Sequence, residues 1–148
     1  MKKFSFSMQA VLNVNTIRKE LREAELALAR AALRKAEDEL ARIKRILLAA
    51  MDPEKMLGLV SGNYLLQREK YLKLLKALYK KQEFVVHQAE AEVDMAISRL
   101  READIEVKKM EKSRTKHKAR WHEEFLKEEQ KIGDEIGTTR TFQKRLAS

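Results

Sequence analysis

The sequence predicts an all-α fold, a long two-helix antiparallel coiled-coil hairpin whose second helix is the longer, and three observations predict it. The chain of 148 residues has only four Gly and one Pro, and these sit in two places: Pro53, Gly58 and Gly62 near the middle, Gly133 and Gly137 near the carboxyl end. The segments between are dominated by Ala, Leu, Glu, Lys and Arg, the residues that lose least on entering a helix. Apolar residues within them recur at alternating steps of three and four, the spacing of a coiled-coil seam.

Helix one is expected from about Ser5 to Ala50, with Ser7 placed to cap the turn that opens at Met8. Its apolar row reads Val14, Ile17, Leu21, Ala24, Leu28. It then resumes one residue out of phase as Ala29, Leu33, Ala36, Leu40, Ile43, Leu47, Ala50. Such a shift predicts a local change of supercoil. Residues 51–63 form the expected turn: Asp52 and Pro53 cap a helical turn through Met56 and Leu57, and Gly58, Gly62 and Asn63 supply permissive backbone for the reversal.

Helix two, expected over about 64–132, carries the clearest period: Leu72, Leu75, Tyr79, Gln82, Val86, Ala89, Val93, Ala96, Leu100, Ala103, Val107, Met110. Gln82 is the one polar member. A short connection between two seamed helices makes antiparallel pairing natural, and the whole chain reads as one coiled-coil domain, 1–148, with a tail at 133–148. At 1.5 Å per residue helix one reaches roughly 70 Å and helix two roughly 100 Å. Pairing from the turn outward therefore leaves helix two unpartnered beyond about Met110.

The unpartnered part changes character. Residues 108–120 hold seven cationic groups against the single carboxylate of Glu111, a net of +6, and Arg114 and His117 stand where the seam earlier had aliphatics. Trp121, Phe125, Leu126, Ile132 and Ile136 follow at near-helical spacing with no in-chain surface to cover, a pattern that marks a binding face. Glu123, Glu124, Glu128 and Glu129 keep the other face soluble.

Catalysis is not expected. No Gly-rich phosphate loop, nucleophile elbow or Cys/His arrangement is present, and two paired helices enclose no pocket in which to shift a catalytic pKa. The absence of Cys excludes disulfides and thiolate metal sites and suits a reducing compartment. Glu83, His87 and Glu90 share a helical face, but helix one has no His to complete a metal site, and His117 and His122 diverge. Neither cofactor nor metal is predicted. The opening Phe4-Ser5-Phe6-Ser7-Met8-Gln9 is too polar for a signal peptide, and no apolar run is long enough to span a membrane. The net charge of +9 implies attraction to something acidic, whether nucleic acid, an anionic membrane surface or an acidic protein groove, and its sign alone does not choose among them. Nucleic acid is disfavoured: the basic block follows the heptads and precedes four Glu, and one Trp makes a poor stacking platform.

The two ends carry a resemblance. Phe4-Ser5-Phe6-Ser7-Met8 followed by Val11-Leu12 resembles the opening of the flagellar FliJ family, Phe-x-Phe-x-Leu followed by Val-Leu, with Met8 in place of Leu. Glu129-Gln130-Lys131 and Asp134-Glu135-Ile136 are similar to that family's Glu-Gln-Lys and Asp-Glu-Ile. Gly133 and Gly137 depart from the more helical run usual there. The resemblance implies a non-enzymatic stalk of the bacterial flagellar type III export apparatus, in the cytoplasm at the inner face of the membrane and reaching the membrane only through protein partners. Its implied partners are the hexameric flagellar export ATPase, the cytoplasmic domain of the export-gate membrane protein, and export chaperones. Mapped onto this chain, Phe4, Phe6, Met8, Val11, Arg114, His117, Arg120, Trp121 and Phe125 form the ring-facing end, and Tyr64, Tyr71 and Leu75 the gate-facing patch. A nucleic-acid-associated coiled coil and the equivalent stalk of a virulence secretion system are the alternatives.

Overall fold

The computed structural model describes residues 3–53 and 61–147. Two helices, α1 (Gln9–Ala50) and α2 (Gly62–Ala147), pack on each other as an all-α hairpin, with α2 the longer at 86 residues against 42. The chain forms two compact units, residues 20–102 and the paired segments 1–19 and 103–148.

In the unit of residues 20–102, α1 buries Leu26, Ala36 and Ile43 and half-buries Ala29, Leu33, Leu40, Leu47 and Ala50. Facing them, α2 buries Leu75, Val86 and Ala96, the expected row. Gln82 is satisfied rather than stranded: its Nε2 donates to the Ala36 carbonyl at 3.0 Å. A buried amide without a partner would cost on the order of 1–3 kcal/mol, so this bond lets a polar residue stand in the seam. Arg68 donates to the Ala50 carbonyl at 3.0 Å and so caps the carboxyl end of α1, where carbonyls lack helical partners. At the start of α2, Ser61 is the N-cap, its Oγ accepting from the Tyr64 amide at 3.2 Å. Gly62 and Asn63, expected in the reversal, are therefore the first turn of α2. The expected turn through Met56, Leu57 and Gly58 lies outside the described residues.

In the other unit, α2 buries Ala103 and Val107, and α1 buries Leu12. Lys19 bonds Asp104 at 3.0 Å, and Lys108 bonds the same carboxylate at 2.8 Å. The Lys108 and Lys19 hydrogen bonds hold the Asp104 carboxyl below its ordinary range.

Three expectations are corrected. The first half of the predicted helix-one seam faces solvent: Val14, Ile17, Leu21 and Leu28 are 54%, 57%, 60% and 72% exposed, and Ala24 is exposed too. The inward row is Leu12, Thr16, Lys19, Arg22, Leu26, in phase with Leu33 and Ala36. No change of phase occurs along α1. Long Lys and Arg stems cover apolar surface while their charged heads reach water or Asp104, so a polar-looking row serves as seam while the more apolar row stays outside.

The amino end also differs. Leu12 N bonds the Met8 carbonyl at 3.0 Å, which puts the cap at Met8 rather than Ser7, and the residues before it are not helical. Phe4 and Phe6 of this non-helical segment both turn onto α2. Their burial there replaces another turn of helix.

At the carboxyl end, α2 does not stop near Ile132 but runs through Gly133 and Gly137 to Ala147. A helix tolerates isolated Gly at about 1 kcal/mol each. Thr138, Thr139 and Thr141 return their hydroxyl protons to the carbonyls four residues back, all at 2.9 Å. Lys144 and Arg145 complement the negative end of the helix dipole.

Candidate partner-binding site

The non-helical segment 3–8 lies against α2, where its two Phe rings build an aromatic cluster with one cation at its edge. Phe6, only 6% exposed, packs on His117 with ring centroids 5.5 Å apart. Phe4 meets Trp121 at 6.0 Å, and Trp121 stacks on Phe125 at 5.4 Å with the rings tilted by 21°. The Arg114 guanidinium lies 5.6 Å from the centre of the Phe4 ring, within cation–π range. Its Nε also donates to Gln9 Oε1 at 3.1 Å, and Gln9 donates onward to Asn13 at 2.9 Å.

His117 is oriented by its own helix. Its Nδ1 lies 2.7 Å from the Ser113 carbonyl. A carbonyl only accepts, so Nδ1 is the donor in this bond and Nε2 is left to accept from a partner.

In-chain pairing therefore continues past Met110, where it was expected to end, as far as Trp121, on which Phe125 of the same helix stacks. The cluster unites Phe4, Phe6, Arg114, His117, Trp121 and Phe125 from the predicted set. Met8 and Val11 are exposed at the start of α1, and Arg120 is exposed on α2. Gln9, the anchor for Arg114, was not foreseen, because a Gln on a helix gives no sequence signal of its partner. Beyond Phe125 every described residue of α2 is exposed, including Leu126, Ile132, Ile136, Phe142 and Leu146. In this stretch, Ile132 and Ile136 continue the apolar row of Trp121 and Phe125.

The second predicted patch, in the unit of residues 20–102, is only partly available. Tyr64 and Tyr71 are exposed, but Leu75 is buried in the seam and offers nothing to a partner. The exposed row instead passes from Tyr71 to Leu74 and Leu78 at steps of three and four. Tyr64 and Tyr71 also line an open groove of about 510 Å³ with Ile46, Ala49, Gln67 and Arg68.

His87 is exposed, its Nδ1 3.4 Å from Glu90, and among the described residues no group of three or more His, Cys, Asp or Glu is arranged to hold a metal. No described helix is long and apolar enough to cross a membrane.

Comparison with protein families gives one decisive finding: the model of the flagellar FliJ protein family matches residues 4–146, nearly the whole chain and both of its motif-bearing ends. The chain belongs to the flagellar FliJ family. Searches among curated proteins and among solved structures give no match. FliJ membership makes the chain a component of the flagellar export apparatus, and the family is not one of known enzymes.

Proposed function

We propose that this FliJ chain is the stalk of the export apparatus, a non-enzymatic protein at the cytoplasmic face of the inner membrane. Its paired termini enter the pore of the hexameric export ATPase, its turn end reaches toward the cytoplasmic domain of the export gate, and it meets export chaperones. The observation that carries this reading is the aromatic cluster of Phe4, Phe6, His117, Trp121 and Phe125, with Arg114 over Phe4, from which α2 continues alone with its apolar row uncovered. Ile132 and Ile136 are 45% and 49% exposed, so a partner that covers them returns about half of the roughly 1.5–3 kcal/mol that full burial of each side chain is worth. A ring pore lined by six subunits supplies such cover on all sides.

An asymmetric stalk in a six-fold ring cannot contact all subunits alike, so it biases their assembly and turnover. The exposed Tyr71, Leu74 and Leu78 row is the surface assigned to the gate in place of the buried Leu75. Adding the chain to purified export ATPase tests the proposal: hexamer formation and ATP turnover both rise. If neither changes, the stalk reading fails.

A further inference from the structure

We infer that the outward face of α1 pairs with the same face of a second copy of this chain, the two helices running antiparallel. The row Val14, Ile17, Leu21, Ala24, Leu28, Ala31 keeps the three-four spacing of a coiled-coil seam over 18 residues, and all six are exposed. It is a different row from the one used inside the hairpin. Leu12, Lys19 and Leu26 face α2, and the exposed row is offset from them by two residues, about 200° around the helix. The row lies along a single uninterrupted helix, so its period is that helix's own. A surface helix normally gives this side to charged residues. Here four large aliphatics occupy it, while the inward row takes Lys19 and Arg22.

The row fits a second copy of itself, and fits it in one direction. With the two-fold axis between Arg22 and Glu23, Val14 meets Ala31 of the second copy, Ile17 meets Leu28 and Leu21 meets Ala24. Two of the three contacts thus set a large side chain against Ala, which lets the backbones approach closely. The flanks agree: Arg18 falls beside Glu25 of the second copy, and by symmetry this happens twice, while Glu20 falls beside Ala27. A parallel pairing instead sets Glu20 against Glu25 on both sides, since flanking positions then meet five residues apart. Glu25 is held by Arg22 of its own helix at 3.0 Å, and its carboxylate keeps lone pairs for a second cation. Size and charge both select the antiparallel self-pair.

The pairing covers about 27 Å of helix, a short seam, so the dimer is reversible and grows with concentration. Sedimentation equilibrium of the purified full chain, from low to several hundred micromolar, reads it directly: the mass rises from 17.3 kDa toward twice that value. Arg18→Glu creates two like-charge contacts and weakens the dimer by about tenfold or more, whereas Arg18→Glu combined with Glu25→Arg restores it. Circular dichroism confirms that each variant stays helical. The chain has no Cys, so spin labels at Glu23→Cys and Glu37→Cys are unique probes. The labels at 23 lie nearly level across the axis, and those at 37 are separated by roughly 44 Å along it. A chain that stays monomeric throughout, a double charge swap that does not restore association, or labels at 37 as close as those at 23 would each overturn the inference.

Discussion

Replacing Phe6 by Ala isolates the contact that folds the amino-terminal segment onto α2. The side chain is 6% exposed and lies against His117, so truncation removes nearly all of a Phe's burial. Full burial of such a side chain is worth about 1.5–3 kcal/mol. At about 1.4 kcal/mol per tenfold change in an equilibrium constant, the docked form of residues 3–8 loses roughly one to two powers of ten in population. Phe4 is carried on the same segment, so its contact with Trp121 is lost with it. Trp121 is the only tryptophan in the chain, which makes its fluorescence a reporter of this one cluster. Phe6→Ala shifts the emission to the red and raises quenching by acrylamide, while helicity hardly changes because α1 begins only at Gln9. Emission and quenching equal to those of the parent would show that Phe6 does not hold the segment down.

Further expectations concern the seams and the free end of α2. Leu75→Ala destabilises the fold by about 2–5 kcal/mol as a buried truncation, whereas Tyr71→Ala stays within about 1 kcal/mol; urea unfolding separates the two, and equal losses would contradict the assignment of Leu75 to the core and Tyr71 to the surface. Asp104 has its carboxyl held down by Lys108 and Lys19, so its contribution is fully present above the unfolded carboxylate value near pH 4 and is lost as pH falls through the lower folded value. An acid titration of its side-chain carboxyl by NMR should therefore show a midpoint below the usual range, moving upward in Lys108→Ala; a normal midpoint in the parent would remove the bridge from the account. Gly133→Ala with Gly137→Ala places methyl groups where no atom lies within 4 Å and adds up to about 1 kcal/mol of helix propensity per site, so helicity measured by circular dichroism rises. A fall would mean that α2 is not helical through Gly133 and Gly137.

The legibility of the chain differs between its helices for a physical reason. In α2 the most apolar row and the buried row coincide from Leu72 to Met110, so periodicity alone located the seam. In the first half of α1 they do not. Val14, Ile17, Leu21 and Leu28 outscore Thr16, Lys19 and Arg22 on any hydropathy scale, yet the second set faces α2, because position opposite a partner and not apolarity decides burial. The same limit explains the ends. Phe4 and Phe6 were legible through the family's opening motif and Trp121 and Phe125 through their near-helical spacing, but that segment 3–8 would fold onto α2 follows from pairing between residues more than a hundred positions apart. Leu75 belonged to both the predicted seam and the predicted gate patch. Only the seam could have it, and Leu74 and Leu78 carry the exposed row instead.

The role assigned to the terminal cluster is tested most directly by the affinity of purified export ATPase for this chain and for its Trp121→Ala, Phe125→Ala double variant, with helicity of both measured alongside. Because Trp121 and Phe125 stack on one another at the last point of in-chain contact, their removal leaves both helices standing and takes away the surface offered to the ring. Affinity for the double variant falls by at least about tenfold, as expected for two aromatic anchors, with helicity nearly unchanged. Equal affinity for the two proteins would contradict that role.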